Sequence, residues 1–215
     1  MILRNAKELK SDYSVFGSFY YRIIEDKGEY ICRNVCDIRR KDSFLDNNVL
    51  DAYFIMMNPG SCHPKNEEYI IDKSRKCDSL EMIECNPDPA QYQIMKLMDN
   101  KGWKYVRILN LSDITSGDSI KFRELLRRIS SDNHSLFSDS RKEELEELMR
   151  ENTRIVAAWT RSKEIRKLAI LCKDKLKDRA IYGIPFDKDK IYYKYIKPQL
   201  QTQREQILKD LLDAL

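Results

Sequence analysis

The sequence predicts an α/β fold of three layers, α/β/α, with a mostly parallel central sheet and an N-terminal β-hairpin. Three observations carry this. Short, continuous apolar runs stopped by turn residues recur from residue 53 onward, as strands buried on both faces do. Segments with helical apolar spacing alternate with those runs, and that alternation means right-handed crossovers with helices on both faces. The 215 residues hold only six Gly and six Pro, with no repeat or low-complexity stretch, so no linker is visible. One α/β domain is expected over 1–215, with a hairpin extension over 1–50, a core over 51–200 and a C-terminal helix over 201–215.

In chain order, Val15 to Val35 reads as strands, with Phe16, Phe19, Tyr20, Tyr21, Ile23 and Ile24 as a β-prone run. Asp26-Lys27-Gly28 is the expected turn, and Tyr30-Ile31-Cys32 resumes the strand. Tyr53 to Met57 is the first core strand, ended by Asn58-Pro59-Gly60. Gln91 to Lys101 is helical, with Ile94, Leu97 and Met98 on one side and Gly102 as its stop. Tyr105 to Leu109 is a strand, and Ser119 to Ile129 a helix with Phe122, Leu125, Leu126 and Ile129 at helical spacing. Ser140 to Glu151 is a helix opened by a Ser140/Glu143 capping box, and Arg154 to Trp159 a third strand. Ser162 to Leu176 is helical, and Ala180 to Ile184 a fourth strand. A Thr202/Glu205 capping box opens the last helix, whose apolar face is Ile207, Leu208, Leu211, Leu212 and Leu215.

Composition excludes several classes. A 42% hydrophobic content excludes wholesale disorder. With 39 Lys+Arg against 35 Asp+Glu, the net charge of +4 is too small to announce a nucleic-acid binder by itself. No apolar run approaches the roughly 20 residues that span a bilayer, so no membrane partner is expected. The first residues lack a signal-peptide apolar segment, which points to a cytoplasmic protein with reduced thiols.

In parallel α/β sheets, ligands bind outside the carboxyl ends of the strands. The residues there are Asn58-Pro59-Gly60-Ser61, Asn110 to Asp113, Trp159-Thr160-Arg161 and Pro185-Phe186. Asn58 can offer an amide to a base or orient a water, and Asp113, the acid of these segments, is the candidate general base. Pro59, Gly60, Ser61, His63, Asn110, Ser112, Trp159, Thr160 and Tyr195 are the candidate substrate-binding residues. Taken singly, Asn, Gly, Ser and Asp after strands are ordinary turn chemistry, and Trp159 at the end of an apolar run suits a core residue with a polar tip. Taken together, the fold rule makes them a site.

The motifs carry a resemblance. Phe54 to Ser61, Val106 to Asp113 and Arg154 to Trp159 resemble, in order, three strand-end signatures of an uncharacterised bacterial family, domain of unknown function 1643. That family's layout is similar to the uracil-DNA glycosylase superfamily, whose mismatch-specific branch carries Ile-Asn-Pro-Gly after its first core strand. The resemblance implies a three-layer glycosylase-like fold and places Asn58-Pro59-Gly60 on a water-activating loop. It also departs from the family: a His-Pro pair expected shortly before Tyr195 is replaced by Tyr192-Tyr193, and the four-Cys pattern of iron–sulfur glycosylases is missing.

Lys188 to Pro198 interleaves cations with Tyr192, Tyr193 and Tyr195, chemistry suited to phosphates and stacked bases. Arg161, Lys163, Lys190, Tyr192, Lys194 and Lys197 are the candidate nucleic-acid contacts, though such a run equally makes a solvated loop. No metal and no cofactor are expected, because zinc-type Cys spacing, a P-loop and a dinucleotide fingerprint are all missing. His134, in a Ser/Asp/Asn stretch, is expected at the surface, and the loop from His63 to Pro89 is expected to cover the pocket. The functional expectation is a glycosylase-like protein recognising a nucleobase, a nucleotide or nucleic acid, with DNA or RNA as the carrier. The alternatives are a non-catalytic nucleic-acid-associated module and a small-molecule hydrolase on the same fold.

Overall fold

The computed structural model describes residues 1–25, 28–43, 49–73 and 81–215. Among these, eight strands form one mixed sheet: β1 (Tyr13–Ile23), β2 (Glu29–Arg40), β3 (Ala52–Met56), β4 (His63–Pro64), β5 (Ile83–Asn86), β6 (Tyr105–Asn110), β7 (Arg154–Ala157) and β8 (Ile181–Tyr182). Their order across the sheet is β4-β5-β1-β2-β6-β3-β7-β8. The pairs β6–β3, β3–β7 and β7–β8 are parallel. The pairs β4–β5, β5–β1, β1–β2 and β2–β6 are antiparallel.

The expectation of a mostly parallel sheet is therefore corrected to a mixed one. The reason lies in β2, which pairs with β6 from Cys36↔Ile108 to Arg39↔Tyr105 and is buried from Cys32 to Ile38. β1 and β2, paired antiparallel along their length, thus occupy the middle of the sheet instead of standing ahead of it. The Asp26-Lys27 part of the expected turn lies outside the described residues.

Among the described residues six helices flank the strands: α1 (Ala6–Asp12), α2 (Pro89–Lys101), α3 (Ser119–Arg128), α4 (Lys142–Leu148), α5 (Arg166–Lys175) and α6 (Gln201–Ala214). Alternating strand positions feed two cores. Ala52, Phe54, Met56, Val106 and Ile108 pack with Leu9 of α1, Ile94 and Met98 of α2, and Leu208 and Leu211 of α6. Tyr53, Ile55, Tyr105, Leu109, Ile155 and Ala157 pack with Phe122 of α3, Leu145 and Leu148 of α4, and Leu168 of α5. Period-two alternation is what sends neighbouring side chains to opposite cores.

Helix starts and caps differ from expectation at α2, α4 and α6. Asp88 caps α2, accepting from the Ala90 and Gln91 N–H groups, and the Gln91 side chain accepts from Asp88 N–H. This moves the helix start to Pro89, a residue suited to a first turn that needs no N–H. Gly102 ends α2 in the left-handed region, as expected. The Ser140/Glu143 box does not form: Ser140 lies inside a 3₁₀ turn over Asp139–Arg141, and its hydroxyl meets Ser138 Oγ at 3.0 Å. The Thr202/Glu205 box does not form either, because α6 begins at Gln201, which bonds Glu205 itself at 2.8 Å. α1 was not anticipated, although Asn5 and Glu8 make a reciprocal cap there.

The described ends of the long loop include sheet. His63–Pro64 pairs with Ile83–Asn86, extending the sheet beyond β1. Residues 74–80, the middle of the expected lid, lie outside the described residues. No described helix is long and apolar enough to cross a membrane.

Candidate functional site

A cavity of about 470 Å³ opens at the carboxyl end of β3. Its lining comes from the turn after β3 (Met57 to Gly60), the start of α2 (Asp88, Gln91), the approach to α3 (Ser116, Gly117, Ser119, Arg123), Trp159-Thr160 after β7, and the segment before α6 (Tyr195, Lys197 to Gln199). Arg33 of β2, Met56 and Ile108 form its base. Backbone bonds fix this geometry: Leu111 N–H and Ser112 N–H donate to Met56 and Met57 carbonyls, and Ala158 N–H donates to Ile55.

Asn58 is held by its own amide. Nδ2 donates to Ser116 O at 2.9 Å and lies 3.5 Å from Ile114 O. Oδ1 takes no hydrogen bond from a described residue, so it is the acceptor the turn presents. Gly60 (φ +68°) is required twice: the backbone is left-handed, and a Cβ there would meet Asp88 Oδ2 at 2.7 Å. Burial pushes the Asp88 carboxyl above its usual range, against the opposing pull of the Gln91 and Ala90 N–H groups and the Arg33 charge.

Arg33 is 2% exposed, and its Nε and Nη1 have no hydrogen-bond partner among the described residues. Gly17, opposite Cys36 on β1, makes room for it: a Cβ there would lie 3.2 Å from Arg33 Cδ and 3.1 Å from Cys85 Sγ. Behind Arg33 lie three buried thiols, Cys36, Cys62 and Cys85, with Gln91 Nε2 donating to Cys36 Sγ at 3.1 Å. Hydrogen bonds from Cys36 and Cys85, helped by the Arg33 charge, hold the Cys62 thiol well below its usual range, while burial pushes Cys36 up. Burial alone would lower the Arg33 pKa, but these sulfurs and Asp88 reverse that, so the guanidinium stays charged.

Trp159 is a core residue whose Nε1 donates to Ile191 O at 3.0 Å and whose ring meets Tyr193 edge-on at 5.1 Å. One face of its surroundings is nevertheless the cavity. Thr160 has φ +73°, a strained conformation for a β-branched residue, pinned by its N–H to Tyr193 O. Tyr195, Thr160 and Pro198 separate this cavity from a neighbouring one of about 410 Å³, which Lys194 lines.

Of the expected site residues, Asn58, Pro59, Gly60, Trp159, Thr160, Tyr195 and Lys197 meet in the cavity. Asp113 does not. It is fully buried in the other core, with Oδ2 2.6 Å from Arg141 Nη1 and accepting from Tyr20 OH at 2.7 Å. Such a carboxylate has no access to a substrate. Ser112 lies beside it, meeting His134 Nδ1 at 2.9 Å, so His134 is buried and not at the surface. Asn110 points to the cavity side of β6 but is covered, its amide atoms unpartnered among the described residues. Ser61 and His63 are exposed and bonded to each other, through Ser61 O and His63 Nδ1 at 3.0 Å, outside the lining.

The expected nucleic-acid contacts scatter. Arg161 faces Asp187 at 3.7 Å, and Lys163 and Lys190 are exposed away from the cavity. Tyr192 is buried in the α3/α4/α5 core, so it offers no stacking face. Sequence reasoning missed Arg33, Asp88, Gln91, Ser116 and Arg123. A usable signal existed for two of them: Asp88-Pro89 with Gln91 is a cap signature, and caps at strand ends line sites. Among the described residues no group of three or more His, Cys, Asp or Glu side chains is arranged to hold a metal ion.

No family model, no curated protein and no solved structure matches this chain.

Proposed function

We propose that the cavity recognises a nucleobase-bearing ligand, on a three-layer glycosylase-like plan. The observation that carries this is Asn58: its amide is oriented by Ser116 O, and its free Oδ1 stands at the end of the first core strand, where the residue lines the cavity. Helices on both faces of the sheet, and a volume within the usual range for small-ligand sites, support the same reading. Asn58 Oδ1 accepts from a base N–H or from the attacking water. If the bond broken is the glycosidic C–N, water adds to the sugar carbon, the base leaves with the bonding pair, and the water proton goes to a carboxylate. Asp88, in the cavity with a raised pKa, takes that role in place of the buried Asp113.

The carrier is a free nucleotide in preference to DNA or RNA. Of the expected phosphate-binding tract only Lys197 lines this cavity, and Tyr192 is in the core. The test is release of free base from nucleosides, nucleotides and base-modified oligonucleotides, followed by chromatography. Asn58→Ala should lower release by about 100-fold or more without unfolding the protein. A protein that neither binds nor cleaves any member of the panel would end the proposal.

A further inference from the structure

We infer that Arg33 makes the base of the cavity a phosphate-binding subsite, and that the ligand carries a terminal phosphate. This rests on the cavity being the ligand site proposed above, but not on the base that Asn58 reads.

A guanidinium presents five N–H donors in a planar fork, and buried donors are nearly always satisfied. Arg33 has Nε and Nη1 buried without an acceptor among the described residues, while it lines the cavity. Cys62 and Asp88 offset its charge, but two of its donors stay unsatisfied, a feature that charge balance alone does not explain. The fork matches a phosphate in geometry and charge.

The rest of the lining agrees. Arg123 and Lys197 join Arg33 in the cavity, Arg123 within electrostatic reach of Asp118 at the start of α3. Asp88 is the carboxylate of the lining, set against these three cations. The lining is therefore cationic although the chain as a whole is nearly balanced, at +4. Enclosure decides which phosphate fits. Arg33 is 2% exposed and its Nε and Nη1 are closed from solvent, so an anion meets the guanidinium from the cavity side only as a compact terminal group around which the lining adjusts. A phosphodiester backbone passing over the surface does not reach it, whereas a phosphomonoester or inorganic phosphate does.

The test is calorimetric titration in phosphate-free buffer. The probes are inorganic phosphate, nucleoside 5′-monophosphates, the matching nucleosides, and an oligonucleotide without terminal phosphate. Monophosphates should bind about 10- to 100-fold more tightly than their nucleosides, the advantage expected of a charge-assisted bidentate contact. Arg33→Met should erase that difference, and Arg33→Lys, which keeps charge but loses the fork, should remove most of it. Asn58→Ala should leave inorganic phosphate binding intact, which separates this subsite from base recognition. Nucleosides and monophosphates binding wild type equally would overturn the subsite and leave the base reading standing. So would phosphate binding that survives Arg33→Met, as expected if Arg33 serves only as counter-charge to Cys62. If no nucleoside or nucleotide binds, inorganic phosphate decides: Arg33-dependent binding supports the subsite, and no binding overturns it.

Discussion

Arg33 and Arg141 are equally deep in the protein, 2% and 4% exposed, and their surroundings treat them oppositely. Arg141 is closed in by acids. Its Nη2 and Nε donate to Glu144 at 2.7 and 2.8 Å, and its Nη1 lies 2.6 Å from Asp113 Oδ2. Tyr20 adds a hydrogen bond to the same Asp113 oxygen. Arg33 has Cys62 and Asp88 near its charge, but its Nε and Nη1 have no hydrogen-bond partner among the described residues, and it borders a cavity. The contrast teaches that a buried charge is a structural clamp when its partners are in the chain. When they are not, the partner is to be sought in a ligand.

The clamp should be the easier of the two to break. Asp113→Ala leaves Arg141 with Glu144 alone and should cost about 3–5 kcal/mol of unfolding free energy, read from urea titration. A loss under about 1 kcal/mol would remove the clamp reading. The same region should also make the fold acid-sensitive. Burial lowers the His134 pKa to about 4. The unfolded chain therefore binds a proton that the folded chain refuses between about pH 6.5 and that value, and stability falls as pH drops through this window. The loss approaches roughly 3 kcal/mol near the lower end. His134→Asn should show a flatter pH dependence than wild type.

Arg33 should respond with the opposite sign. Arg33→Met removes a buried charge whose Nε and Nη1 have no hydrogen-bond partner among the described residues, Cys62 taking up a proton in its place, and should raise stability by about 1–3 kcal/mol. Gly60→Ala is the smallest expected change. Its Cβ meets Asp88 Oδ2 in a left-handed turn, which should cost about 1–2 kcal/mol and displace Asp88 from the cavity. A thermal scan that finds this variant unchanged would mean the turn relaxes.

What was legible follows from these two regions. Asn58 to Gly60, Trp159 and Thr160 were found because they end strands, and strand ends are marked by apolar runs meeting turn residues. Asp113 satisfied the same rule and failed, because nothing local reveals that Tyr20 and Arg141, distant in sequence, would cover it. Arg33 was missed for the converse reason. It lies mid-strand in β2, where Arg33, Asn34 and Asp37 interrupt the apolar pattern of a strand that is in fact buried. That interruption made the β1–β2 hairpin read as an extension, hid its junction with β6, and concealed the cation beneath the cavity. Polar residues inside a strand that neighbours the core are the signal that both errors share.

The most direct test of the account is the unfolding free energy of wild type and Arg33→Met, each measured without and with a saturating nucleoside 5′-monophosphate. The account predicts a variant more stable than wild type when free of ligand and barely stabilised by it, while wild type gains in proportion to binding. A variant less stable than wild type that gains equally from the ligand would contradict it.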